Sequence, residues 1–283
     1  MIYNNNKNGQ ISNIGDYIQS LAALQYLPKN CKPYLVYRDK VQFYNGTKVK
    51  LIMNGWHSIS YGNTYITNRI IPIFVSYHIS NPKKLPEIYI KNLLNFSEIG
   101  CRDTNTRDEL IKYGVRAYFT SCLTTTLDID YSANENERTN DIIFTDYKFG
   151  DYSEADKYIH SLRAYNFSNI INITHVFETS NFTHIEIFKL AKKLLDKYAR
   201  AKLVITTRLH AALPCLAFKT PVILINKKFD NRFPGLYELL NTIGINERNT
   251  FEIKVNVNDK GFVYNSQEYL KYSIKLKEAL KNI

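Results

Sequence analysis

The sequence predicts an α/β fold, two Rossmann-like units facing a cleft, and three observations carry that prediction. Short strands alternate with helices along most of the chain. In the second half the strands are nearly continuous runs of β-branched residues, the pattern of a parallel sheet covered on both faces. The chain has 283 residues, a length that corresponds to roughly two domains. With 45% hydrophobic and 22% charged residues it is neither a disordered chain nor a membrane-embedded one.

The elements follow in order. Met1 to Gln10 is polar and Asn-rich and lacks the cationic start and apolar run of a secretory signal, so a cytoplasmic location is expected. Asn13, Gly15 and Asp16 read as a loop before a helix that carries Ile18, Leu21, Ala22 and Leu24 and ends at Pro28. Strands are predicted at Tyr34 to Tyr37, Val49 to Met53 and Ile71 to Ser76. After Pro86 come a helix over Tyr89 to Phe96 and a strand over Ser97 to Arg102. Next is a helix over Thr106 to Tyr113, with Thr106 and Glu109 at capping-box spacing and Gly114 as its stop. Tyr118 and Phe119 start another extended piece. The polar stretch Tyr131 to Asn140 divides the chain into units 1–135 and 136–283. Beyond it, strands at Asp141 to Thr145, Ile170 to Ile173, Leu203 to Thr206 and Val222 to Ile225 alternate with helices at Ser153 to Leu162, His184 to Tyr198 and Arg208 to Phe218. A lysine-rich helix over Ser266 to Ile283 closes the chain, placed to pack back across the junction.

Composition narrows the function only partly. Lys and Arg number 37 against 26 Asp and Glu, which favours anionic partners such as a phosphorylated metabolite, nucleic acid or an anionic membrane face. The basic residues are spread along the chain without a nucleic-acid-binding motif, so a nucleic-acid partner is not expected. Cys31, Cys101, Cys122 and Cys215 are far apart, with no CxxC pair and no His at ligand spacing, so neither a metal site nor a redox dithiol is expected.

Three clusters are candidates for chemistry. Arg208 and His210 stand where a strand ends and a helix begins, at the sheet edge where open α/β folds bind ligands. Arg offers a charged fork to carboxylate or phosphate, His moves protons near neutral pH, and free N–H groups at the helix start add positive potential. The alternative is a structural ion pair for Arg208, with His210 capping the helix or filling a polar pocket. Arg102 occupies the equivalent place in the first half, with an ion pair to Asp103 or Asp108 as its alternative. Near the start, Gly15 permits close backbone approach, and Asp16 suits either a hydroxyl partner or, on spacing alone, an N-cap.

Five segments in order carry a resemblance. They are Asn13-Ile-Gly-Asp-Tyr-Ile-Gln-Ser-Leu-Ala22, Ile52-Met-Asn-Gly-Trp56, Gly100-Cys-Arg-Asp-Thr-Asn-Thr-Arg-Asp-Glu-Leu-Ile-Lys-Tyr-Gly114, Tyr118-Phe-Thr-Ser-Cys-Leu-Thr-Thr-Thr-Leu127 and Arg208-Leu-His210, with Phe233-Pro-Gly-Leu-Tyr237 beyond. Together they resemble the polysaccharide pyruvyl transferase family. The resemblance implies a GT-B-like fold of two Rossmann-like domains, the first on the acceptor side and the second on the donor side. It implies transfer of the enolpyruvyl group of phosphoenolpyruvate to sugar hydroxyls, giving a cyclic ketal and phosphate without a cofactor. The acceptor it implies is a glycan or lipid-linked oligosaccharide of a surface polysaccharide precursor.

On that resemblance Arg102, Arg208 and Leu209 bind the donor, His210 is the acid that protonates the methylene carbon, and Asp16 orients or deprotonates the acceptor hydroxyl beside Asn13 and Gly15. Many relatives follow the next strand with a Tyr-Asp-Pro-Lys turn. Here the stretch is Asn226-Lys-Lys-Phe-Asp230, in which Lys227 or Lys228 takes the place of that lysine in a different register. The alternative within the same fold is glycosyl transfer from a nucleotide sugar. Lys271, Lys275, Lys277 and Lys281 in the last helix fit either peripheral contact with an anionic membrane face or an ordinary solvated surface.

Overall fold

A computed structural model describes residues 11–31, 33, 35–58, 65–128, 138–178, 182–281 and 283. Met1 to Gln10, Tyr34 and most of the predicted boundary segment lie outside the described residues.

The chain enters through β1 (Ile11–Asn13) and α1 (Ile14–Leu24). The Asn13 side chain accepts the Gly15 N–H at 2.9 Å and satisfies one of the orphan donors of the first turn. The helix therefore starts before the predicted loop ends. Gly15 and Asp16 lie in its first turn, and the cap is Asn13, not Asp16. Ile14, Tyr17, Ile18, Leu21 and Ala22 form its buried face.

The first half continues with β2 (Val49–Ile52), β3 (Trp56–His57), β4 (Ile70–Ile73), β5 (His78–Ile79), α2 (Glu87–Leu94), β6 (Ile99–Cys101), α3 (Thr104–Lys112) and β7 (Ala117–Phe119). The strands pair in parallel, β2 with β4, β3 with β5 and β6 with β7. Backbone bonds from Gly100 N to Phe74 O, Tyr77 N to Gly100 O and Arg102 N to Tyr77 O stitch the stretch after β4 to β6. Ser76 and Ser121, beyond β4 and β7, both have left-handed backbones, φ +57° and +65°. Non-glycine residues in that region cost about 1–3 kcal/mol and concentrate at functional sites.

Two local expectations are corrected here. The described part of Tyr34 to Tyr37 forms no named strand and runs into a 3₁₀ turn over Arg38–Phe43. The capping box at Thr106 and Glu109 does not form. Asp103, a better-placed cap residue, accepts the Thr106 N–H at 2.8 Å, so the helix begins two residues earlier, and Glu109 pairs with Lys112. Gly114, at φ +79°, ends the helix as expected.

The second half holds β8 (Ile142–Thr145), α4 (Ser153–Ser161), β9 (Ile170–Ile173), β10 (Val176–Glu178), α5 (His184–Arg200), β11 (Leu203–Thr206), α6 (Leu209–Ala217), β12 (Val222–Asn226), β13 (Asn241–Ile245), β14 (Phe251–Lys254) and α7 (Leu270–Leu280). Six strands form one sheet in the order β14-β13-β12-β11-β8-β9, parallel except for β14 at the edge. Every residue of β8, β11 and β12 is buried, the condition that makes such strands uniformly apolar. β13 and β14 extend the sheet beyond the predicted strands.

β1 pairs antiparallel with β10, and α1 shares an apolar core with α5, α6 and α7. The last helix is also held by Ser273 Oγ, which donates to the Thr125 carbonyl at 3.2 Å, and by the edge contact of Phe119 with Tyr272. The starts of α1 and α6 are thereby brought side by side.

Candidate functional site

The segment Thr206-Thr-Arg-Leu-His210 leaves β11 and enters α6, with Arg208 at the N-cap position but no side-chain cap bond. His210 is the second residue of the helix, so it is not the cap. Leu209 is buried in the apolar core and anchors the turn. Arg208 does form an ion pair, Nε to Asp146 Oδ2 at 2.7 Å, while its two terminal nitrogens make no hydrogen bond to the described residues. Asp146 follows β8 in a left-handed conformation, φ +51°. Its carboxylate also accepts from Thr174 Oγ1 at 2.7 Å and His175 N–H at 3.0 Å. Burial alone would raise its pKa; these three donors together outweigh burial and lower it. Asp146 is thus a fixed anion that orients Arg208.

Arg102 stands at the end of β6, 3% exposed. Neither expected ion pair forms. Asp103 is engaged by His78 Nδ1 at 2.6 Å and by Thr106, and Asp108 is engaged by Arg107 at 2.7 Å. Arg102 Nε is buried without a hydrogen-bond partner among the described residues, as are Ser76 Oγ and Ser121 Oγ at the adjacent strand ends. A buried polar group left unsatisfied costs about 1–3 kcal/mol, and a cluster of them needs an explanation such as a ligand or water.

The loop after β12 brings in a third cation. Thr104 N–H donates to Pro234 O at 3.0 Å, and Gly235, φ +83°, packs so closely on Thr104 and Phe119 that a Cβ there would approach within 2.7 Å. This close approach fixes the loop against α3. Arg232, on the same loop, is held by Asp230 through Nε at 2.9 and 3.0 Å. Its charge reaches His78 and His210, and Asp16 in turn acts on Arg232. Lys227 and Lys228 are exposed beyond β12, Lys227 lying 3.8 Å from Asp151.

His210 is the centre of this cluster. Burial, followed by the charges of Arg102, His175, Arg232 and His78, pushes its pKa well below the ordinary imidazole value. Its Nε2 is buried without a partner among the described residues. Gly15 in α1 passes against it, and a Cβ on Gly15 would stand 3.0 Å from His210 Cβ. Asp16, one residue on, accepts from Gln19 Nε2 at 3.4 Å. The arrangement is a neutral imidazole among guanidinium groups from both halves of the chain. Such an arrangement is chemically able to hold a multiply charged anion and to pass a proton beside it.

The profile of the polysaccharide pyruvyl transferase family matches residues 13–227, from the α1 cap to the lysine after β12. The chain belongs to that family. Among curated proteins nothing matches. Among solved structures, a functionally uncharacterized protein of Klebsiella pneumoniae subsp. pneumoniae is similar, with a TM-score of 0.47 at 15% identity over 83% of each chain.

Membership in the pyruvyl transferase family makes the chain a transferase of polysaccharide synthesis. No helix among the described residues is long and apolar enough to cross a membrane. Of the residues singled out from sequence, Asn13, Gly15, Arg102, Arg208 and His210 gather around the starts of α1 and α6 and the end of β6. Leu209 faces the core, and among the described residues neither Lys227 nor Lys228 makes a hydrogen bond or ion pair that ties it to His210. Asp146, Arg232 and His78 were missed in the sequence, Asp146 because its role lies in its pairing with Arg208 across the sheet. Arg232 sits beyond the matched family segment, between the Asn226–Asp230 and Phe233–Tyr237 stretches, where Asp-x-Arg before Pro-Gly was the available signal. His78 lies in a strand of two residues and carried no signal without its partner Asp103.

Proposed function

We propose that this chain transfers the enolpyruvyl group of phosphoenolpyruvate to two hydroxyls of one sugar in a surface polysaccharide precursor, forming a pyruvate ketal and releasing phosphate. The observation that carries the reading is Arg102, a buried guanidinium with no carboxylate partner among the described residues, acting on a neutral, buried His210. A donor with one carboxylate and one phosphate supplies the missing counter-charge. Arg102 and Arg208 take its two anionic groups, Arg232 adds charge from the loop, and Lys227 and Lys228 extend the positive potential at the mouth.

Donor binding also drives His210 to take up a proton. Burial is the first cause that keeps the imidazole neutral and the charge of Arg102 the second; negative charge beside Arg102 and Arg232 offsets that second cause, so its pKa climbs when the donor binds. His210 then protonates the methylene carbon, and the electron deficiency develops at the carbon that carries the phosphate and carboxylate. A sugar hydroxyl attacks there, oriented by Asp16 at the start of α1. Loss of phosphate and attack by the second hydroxyl close the ketal.

The fold we infer for this chemistry is GT-B-like, two Rossmann-like units dividing near residue 136. The continuous sheet from β8 to β14 and the parallel pairs from β2 to β7 support it. The inferred setting is cytoplasmic. The exposed Lys271, Lys275, Lys277 and Lys281 of α7 would lie against an anionic membrane face that carries a lipid-linked acceptor.

The test is phosphate release from phosphoenolpyruvate with a panel of hexose and N-acetylhexosamine glycosides. Arg208→Ala and His210→Ala should nearly abolish release while circular dichroism shows an intact fold. Full activity in the His210 variant, or transfer from a nucleotide sugar in place of phosphoenolpyruvate, would contradict the reading.

A further inference from the structure

His78 is buried, 1% exposed, and belongs to none of the steps above. Its Nδ1 lies 2.6 Å from Asp103 Oδ2, and the other Asp103 oxygen accepts the Thr106 N–H at 2.8 Å. A carboxylate that already accepts from the α3 backbone accepts the Nδ1–H as well, which leaves the lone pair on Nε2. That Nε2 is buried and has no hydrogen-bond partner among the described residues. An aspartate that fixes one ring nitrogen and leaves the other bare is the arrangement by which imidazoles are oriented as bases. The groups whose charges act with His78 are Arg102 and Asp103 at the end of β6, Arg232 and Asp230 on the loop, His57 in β3 and His210 in α6.

We propose that His78, oriented by Asp103, is the general base that takes the proton of the attacking sugar hydroxyl and returns it to the departing phosphate. This rests on the pyruvyl-transfer reading and adds a second proton carrier to it. In the first step His210 gives its proton to the methylene carbon, the first hydroxyl oxygen bonds to the adjacent carbon, and that hydroxyl's proton passes to His78 Nε2. In the second, the carbon–oxygen bond to phosphate breaks with its electron pair going to phosphate, and His78 returns its proton there. The second hydroxyl closes the ketal and gives its proton to His210. One hydroxyl proton has replaced the proton on carbon and the other leaves on phosphate, so both imidazoles end as they began. Burial first, then Arg102, holds the free His78 at about 4 against the pull of Asp103. Donor charge beside Arg102 and Arg232 makes it a stronger base once the site is loaded.

The test uses the full chain with an acceptor on which the wild type turns over. His78→Gln keeps an N–H for Asp103 but has no base, and should bind phosphoenolpyruvate with wild-type affinity while turnover falls on the order of 10²- to 10⁴-fold. Added imidazole should restore part of the activity of His78→Gly. Asp103→Asn keeps a competent N-cap, so α3 and the melting temperature should persist while turnover drops about tenfold or more and the acid limb of its pH profile moves. Wild-type turnover in His78→Gln with its pH profile unchanged would overturn the dyad and leave pyruvyl transfer standing. A wild-type chain that neither binds phosphoenolpyruvate nor releases phosphate would overturn the reading beneath it.

Discussion

Gly15 lies against His210 so closely that a Cβ on residue 15 would stand 3.0 Å from the His210 Cβ and 3.1 Å from its Nδ1. The contact joins the first turns of two helices almost two hundred residues apart in sequence, and it makes residue 15 a control on the imidazole. Gly15→Ala gains about 1 kcal/mol in helix propensity but has to displace the His210 ring. The expected outcome is a melting temperature close to wild type with turnover reduced about 10- to 100-fold, measured by phosphate release and thermal denaturation in parallel.

Arg102 leads to the opposite trade. A buried guanidinium with no carboxylate partner among the described residues destabilises the free protein, so Arg102→Met should leave the melting temperature unchanged or raise it. The same variant should lose about 10- to 100-fold in affinity for phosphoenolpyruvate, read by titration calorimetry. A structural ion pair in place of a donor site would give the reverse, lower stability and unchanged binding.

Donor binding should take up a proton near neutral pH. His210 is neutral in the free protein because burial and Arg102 depress its pKa, and the donor's charge reverses the second cause. Calorimetry in buffers of different ionisation enthalpy measures the uptake. His210→Gln should remove it.

The buried imidazoles also set the acid stability. Burial lowers His175 to about 3 and His78 to about 4, and His210 lies well below its ordinary value. Unfolded histidines protonate near 6.5, so from there down to about 4 the unfolded state holds more protons than the folded one. Stability therefore falls as pH drops through that window. Urea midpoints at pH 7 and pH 5 should differ in that direction, and His175→Gln should shrink the difference.

Asp146 is expected to act through Arg208 alone. Asp146→Asn removes the charge that fixes the guanidinium at 2.7 Å, while its one amide oxygen, in the Oδ2 position, still accepts the His175 N–H and its amide nitrogen donates to Thr174 Oγ1. The KM for phosphoenolpyruvate should rise about tenfold with kcat less affected, in steady-state assays at fixed acceptor.

The parts of the site legible in the sequence are those where local patterning and ligand geometry coincide. Arg208-Leu-His210 follows an apolar strand directly and precedes an apolar helix, so its place at a sheet edge could be read without knowing what packs beside it. The strands β11 and β12 were legible for the same reason, as nearly unbroken apolar runs. Cap positions were not. Asn13 and Asp16, like Asp103 and Thr106, are competing cap residues three apart, and only the packing of each helix against its neighbours decides which one starts it. His78 was hidden because its meaning lies in Asp103, across a strand and a helix. Arg232 was hidden because its loop reaches the site through contacts with Thr104 and Asn105 that join the two halves of the chain.

Phosphoenolpyruvate labelled with 13C at the phosphate-bearing carbon tests the central claim most directly. Incubated with the chain and a panel of diol-bearing glycosides, the label should appear by NMR as a saturated carbon bonded to two oxygens of a single sugar, with one phosphate released for each. Recovery of all the label as unreacted phosphoenolpyruvate with every acceptor, and no phosphate release, would contradict it.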